Sequence, residues 1–90
     1  MKFSWDEAKR RSILAARGLD LADCGEMFKG THVDILDDRF DYGELRFVTF
    51  GFLKDRLCCV VWTQRKETTH LNSLRKANDR EQKKYRAGMD

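Results

Sequence analysis

No proline, internal repeat or low-complexity linker interrupts the ninety residues, so one small domain is expected. A chain of that length buries only about 60–65% of its unfolded surface, which makes modest stability the expectation. No apolar run approaches the roughly 20 residues that a membrane helix needs. The opening run Met1-Lys2-Phe3-Ser4-Trp5-Asp6 lacks the hydrophobic stretch of a signal peptide, so a cytoplasmic protein without membrane contact is expected. Cysteine is scarce. Cys24, Cys58 and Cys59 are odd in number and lack a CxxC spacing, which fits neither a disulfide framework nor a zinc site. Cys58 and Cys59 lie in the apolar run Leu57-Cys58-Cys59-Val60-Val61-Trp62 and read as small space-filling hydrophobes. P-loop, GxGxxG, HExxH and paired acidic metal motifs are all missing. Nucleotide hydrolysis by a bound metal is therefore not expected, and no cofactor is called for.

The chain does hold enough apolar material for one core: 41% of residues, with ten aromatics. Its net charge of +3 hides an asymmetry. Residues 18–44 carry eight acidic groups against Lys29 and Arg39, while residues 54–86 carry ten Lys or Arg against four acids. A basic C-terminal half suits nucleic acid, and it equally suits a solvated helix face.

Residues 1–5 read as a short strand. Asp6 is placed to cap a helix with Ala8, Ser12, Ala15 and Leu19 at helical spacing, and Gly18 to end it. Asp20 begins a second helix that Gly30 closes. Alternating residues over 31–37 predict a half-exposed strand. The apolar runs 45–53 and 57–63 predict an antiparallel hairpin around Lys54-Asp55-Arg56. A short final strand over 68–72 precedes a helix over 73–87. The expected class is α+β: an antiparallel sheet with two N-terminal helices and one C-terminal helix.

Chemistry concentrates in the last third. RNA can be cut without a metal when a base removes the 2′-hydroxyl proton, an acid protonates the departing 5′-oxygen, and cations stabilise the added charge. Arg65 follows the apolar strand, His70 lies on the last strand, and Arg75 and Lys76 open the predicted helix, whose amides favour anions. Glu67 is a candidate base. Arg46 on the neighbouring strand can reach the same face if register allows, and Arg80 and Trp62 are further candidates for RNA contact. Each has a plainer reading. His70 can be a hydrogen-bonded surface residue, Glu67 a turn acid, Trp62 a core ring, and Arg75 can pair with Asp79 at i,i+4. Tyr42, like Trp62, could stack on a base. A non-catalytic basic module that grips RNA or a protein remains the alternative function.

The runs Phe3-Ser4-Trp5-Asp6-Glu7-Ala8-Lys9, Asp38-Arg39-Phe40-Asp41-Tyr42-Gly43-Glu44-Leu45-Arg46, Thr63-Gln64-Arg65 and Ser73-Leu74-Arg75-Lys76-Ala77-Asn78-Asp79-Arg80-Glu81, with Gly18-Leu19 and Gly51 in order between them, resemble the BrnT family of bacterial type II toxins. The resemblance covers nearly the whole chain. It implies a RelE-like fold and a ribonuclease that arrests translation. It also implies a cognate BrnA-like antitoxin with a ribbon-helix-helix DNA-binding domain, through which the complex meets operator DNA. It raises Arg65, His70 and Arg75 as site residues, and to a lesser degree Lys76, Arg46 and Glu67. Three positions depart from the family pattern: Lys66 stands where glycine is common, Thr69 where arginine is common, and Asn72 in an apolar slot. An attenuated toxin is one consequence to expect.

Overall fold

Phe3 and Trp5 alternate with Lys2 and Ser4, the period of a strand with one inward face, and they form β1, Lys2–Trp5. This is seen in a computed structural model that describes residues 1–38 and 43–88. Asp6 then caps α1, Glu7–Arg17, by accepting the Lys9 N–H at 3.0 Å. Gly18 ends the helix at φ 68°, in the left-handed region that glycine adopts without strain. The second helix expected after Asp20 is divided. Asp20 caps only a 3-10 turn, Leu21–Asp23, which leads into the five-residue α2, Gly25–Lys29. The reason is packing. Leu21, Cys24 and Met27 stand three apart and are all fully enclosed, and a 3-10 turn brings that spacing onto one face.

The strands are β2, His32–Leu36; β3, Arg46–Leu53; β4, Arg56–Arg65; and β5, Thr68–Lys76. They join in the order β1-β5-β4-β3-β2. Three neighbouring pairs are antiparallel, but β1 runs parallel to β5, so the sheet is mixed rather than antiparallel. Hairpins can be read from adjacent strands, whereas the pairing of the first strand with the last is non-local. The α+β class holds, while one full N-terminal helix and this mixed sheet do not match the expected RelE-like layout well.

The C-terminal helix is also shorter than its composition suggests. Residues 73–76 extend β5, and α3 spans only Asp79–Tyr85, followed by a single 3-10 turn. Leu71 and Leu74 are both buried in the main core, and extended pairing with β4 delivers both, overriding helical propensity. Asn78 starts α3 through a capping box with Glu81.

The sheet has two unlike faces. One is covered by α1, the 3-10 turn and α2, which pack Ile13, Leu21, Cys24 and Met27 against Leu53, Val60, Trp62 and Leu74. Gly51 leaves room for α2: a Cβ there would lie 3.2 Å from Met27. The other face carries a smaller cluster of Phe50, Leu57, Cys59 and Ala77, against which Tyr85 of α3 stacks its ring on Phe50 with centroids 4.3 Å apart. The three cysteines are free and buried, and burial pushes the Cys24 and Cys59 thiols up to about 12 and about 11.

The β4–β5 turn holds Lys66 at φ 56°, a conformation that costs a non-glycine residue about 1–2 kcal/mol. We predict that Lys66→Gly raises the unfolding free energy by up to about 1 kcal/mol, moving the melting temperature up by about 4–8 °C per kcal/mol in a domain of this size. Denaturant titration of the two proteins checks it.

Candidate active site

Strand register builds a polar row across the face away from the main core. Ser4 pairs with His70, His70 with Thr63, and Thr63 with Arg46. Buried Asp37 extends the row on the far side, donating its backbone N–H to the Arg46 carbonyl at 2.8 Å. Arg65 lies two residues beyond Thr63 on β4, opposite Thr68, and therefore on the same face. Arg46 and His70 are thus the direct cross-strand neighbours of Thr63, and Arg65, next on the same face of β4, is diagonal to both. Such positions lie about 5–8 Å apart at Cβ, within the reach of arginine side chains. Thr63 itself is fully buried, and its hydroxyl has no hydrogen-bond partner among the described residues.

His70 is half-buried and its Nδ1 lies 2.8 Å from Ser4 Oγ. Desolvation depresses its pKa below 6.5. Arg65 and then Lys9, in the first turn of α1, depress it further, while Glu44 and Asp6 oppose the shift. The imidazole is therefore mainly neutral at pH 7, the state in which it can accept a proton. Arg65 meets Glu44 at 3.3 Å, with about half of the Arg65 side chain exposed. A pair of this kind contributes about 0–1 kcal/mol, so an incoming phosphate can displace Glu44.

Arg75 faces the same side as His70 but stands opposite Cys59, four residue pairs from Thr63 along β4. That separation is about 13 Å of strand, and the Arg75 guanidinium is engaged at the α3 end of the face. Arg75 does not open a helix, and its partner is Glu81 rather than Asp79. Its two terminal nitrogens donate to the two Glu81 oxygens at 2.8 and 2.9 Å. The Arg75 hydrogen bond holds the Glu81 carboxyl below its usual range. A groove of ≈ 570 Å³ lies between this pair and β2, floored by Ile35, Val48, Phe50 and Val61.

The remaining candidates scatter. Lys76 is exposed opposite Cys58, on the helix-covered face. Glu67 is exposed in the β4–β5 turn, and Arg80 is exposed on α3. Trp62 is buried on the core face, stacked on Phe47 at 4.6 Å, with its Nε1–H donated to Thr49 Oγ1 at 2.8 Å. Its ring is closed to a base, which corrects the stacking role considered above. Thr69 is buried and faces away from His70, opposite Gln64. Asn72 has a buried Nδ2 without a partner among the described residues. Tyr42 lies outside the described residues. Sequence reasoning did not single out Ser4, Lys9 or Thr63. The signal for Ser4 was faint: a lone hydroxyl between two core aromatics.

Two predictions follow from this arrangement. The depressed folded pKa means that the unfolded chain binds the His70 proton first as pH falls. The stability linked to His70 is therefore present above pH 6.5 and is lost as pH falls from there through the folded value. NMR titration should place the His70 pKa below 6.5, and His70→Gln should flatten the acid-side loss of stability. Thr63→Val should stabilise the protein by about 1–3 kcal/mol, because it removes a buried hydroxyl without a partner among the described residues; denaturant titration measures it.

A scan against family models matches residues 5–81 to the ribonuclease toxin BrnT of type II toxin–antitoxin systems. No match was found among curated proteins. No described helix is long and apolar enough to cross a membrane. The matched span contains Arg46, Thr63, Arg65, His70, Arg75 and Glu81. The chain belongs to the BrnT family of ribonuclease toxins of type II toxin–antitoxin systems, a membership that implies a protein antitoxin as its partner.

Proposed function

We propose that the chain is an endoribonuclease that cuts RNA by metal-independent acid–base catalysis at the Arg46–Arg65–His70 cluster and thereby arrests translation. What supports this reading is the register that sets Arg46 and His70 directly across from Thr63, with Arg65 two residues along the same strand and the His70 pKa held below 6.5. His70 takes the proton of a ribose 2′-hydroxyl, and the 2′-oxygen attacks the adjacent phosphorus. The bond to the 5′-oxygen breaks, leaving a 2′,3′-cyclic phosphate and a 5′-hydroxyl once His70 returns the proton. Arg46 and Arg65 hold the phosphate oxygens and supply the charge that a metal would otherwise bring.

Arg75, Lys76 and Arg80 lie outside that triangle. Arg75 and the neighbouring groove serve the chain of a flanking nucleotide, while Lys76 and Arg80 add diffuse attraction. Glu67, in its exposed turn, takes no proton in this scheme. The partner is a BrnA-like antitoxin with a ribbon-helix-helix domain, through which operator DNA is met. Attenuation of this chain works through stability. Lys66 sits at positive φ, and Asn72 carries a buried amide nitrogen without a partner among the described residues, which costs about 1–3 kcal/mol. Neither change removes a cation from the site.

Purified protein incubated with total RNA and excess EDTA tests the proposal. Cleavage that survives the chelator, with kcat lowered about 10²–10⁴-fold in His70→Gln, is the expected result. Intact RNA with a salt-sensitive mobility shift would instead make the chain a binding module.

A further inference from the structure

We propose that Ser4 is a positioning residue for His70: its hydroxyl ties down Nδ1 and leaves Nε2 to face the anion site formed by Arg46 and Arg65. The inference rests on the nuclease reading above and adds a residue from the other end of the chain.

The geometry comes from the one parallel pairing of the sheet. β1 lies against β5 with Ser4 opposite His70, and the Oγ–Nδ1 distance is 2.8 Å in a half-buried setting. Ser4 has little freedom to leave. Phe3 and Trp5 on either side pack their rings into the main core, which fixes the strand and turns Ser4 to the opposite face. Ring nitrogens of histidine are distinct, and the hydrogen bond of one sets what the other can do. With Nδ1 occupied by Ser4, Nε2 is the nitrogen left to exchange a proton with substrate.

The surrounding charge selects the tautomer. Arg65 on β4 and Arg46 on β3 are cationic and lie on the side of β5 away from Ser4, while Lys9 on α1, Asp6 before it and Glu44 before β3 are the other charges around the ring. A positive field favours the imidazole lone pair on the side that faces it. That places the proton on Nδ1, donated to Ser4 Oγ, and leaves Nε2 free as the base. A hydroxyl suits this task because it accepts from Nδ1–H in both the neutral and the protonated ring. A carboxylate at the same place would also accept, but its charge would stabilise the imidazolium, raise the ring's pKa and leave less of it in the free-base form at neutral pH.

Side-chain ¹⁵N NMR of the full chain, together with pH–rate profiles on RNA, tests the proposal with three variants. Wild type should show Nδ1 protonated and Nε2 unprotonated above the His70 pKa. Ser4→Ala should lose that preference and lower kcat about 10-fold or more with little change in KM, whereas Ser4→Thr should recover both. Ser4→Asp should raise the His70 pKa and move the acid limb of the rate profile to higher pH. An unchanged tautomer in Ser4→Ala would overturn the proposal, as would a Ser4→Thr protein no better than Ser4→Ala in both readouts. RNA left intact by wild type would overturn the nuclease reading instead. The NMR comparison would then still decide whether Ser4 holds the ring.

Discussion

One extra residue in β5 sets which side chains meet on each face of the sheet. Val61 pairs with Ser73 and Trp62 with Leu71, so Asn72 has no counterpart on β4 and the strand bulges there. Successive strand residues normally alternate between faces, and by that rule positions 70 and 75 would lie on opposite sides, as would 71 and 74. The bulge removes the conflict. Leu71 and Leu74 both enter the main core, while His70 and Arg75 both turn to the other face. The Thr63–His70 and Ser4–His70 pairings stand on the turn side of this shift, and the shift decides where Arg75 stands relative to them.

With the register so fixed, the two faces divide the work. The helix-covered face supplies most of the burial and encloses its polar atoms well, as in the relay from Trp62 Nε1 through Thr49 to Asp34. The opposite face is split along its length. Near α3 it is apolar, with Tyr85 on Phe50 and the Arg75–Glu81 pair clamping the helix down. Glu81 serves twice there, closing the capping box of Asn78 and receiving Arg75. Toward the β4–β5 turn the face is polar and carries the Thr63 hydroxyl, which has no partner among the described residues, near its cations. Folding alone gains nothing from such a group, whereas substrate binding can use the charge gathered around it.

Much of this was legible in the sequence. Asp6 and Gly18 announce the limits of α1, and alternation together with apolar runs announces β1 to β4. The concentration of cations around His70 was visible as composition. Three things were not. A bulge has no sequence mark stronger than an amide in an apolar slot, so β5 read as a short strand followed by a helix. The parallel pairing of β1 with β5 joins residues 66 apart in the chain, and with it the contact of Ser4 with His70 stayed hidden. The distance of Arg75 from His70 follows from the extension of β5 through residues 73–76. Neighbours in a helix-first reading, they become residues four pairs apart on an extended strand. The resemblance to the BrnT family identified the chemistry, but it could not tell which of its basic residues converge.

The central claim is that Arg46, Arg65 and His70 share one anion site while Arg75 does not. Side-chain NMR during titration with a 2′-O-methyl oligoribonucleotide, which binds without being cut, addresses it directly. The account predicts that the Nε signals of Arg46 and Arg65 and the ring signals of His70 move together along one saturable curve, with Arg75 remaining paired to Glu81. Perturbation centred on Arg75 and α3, with His70 unmoved, would contradict it.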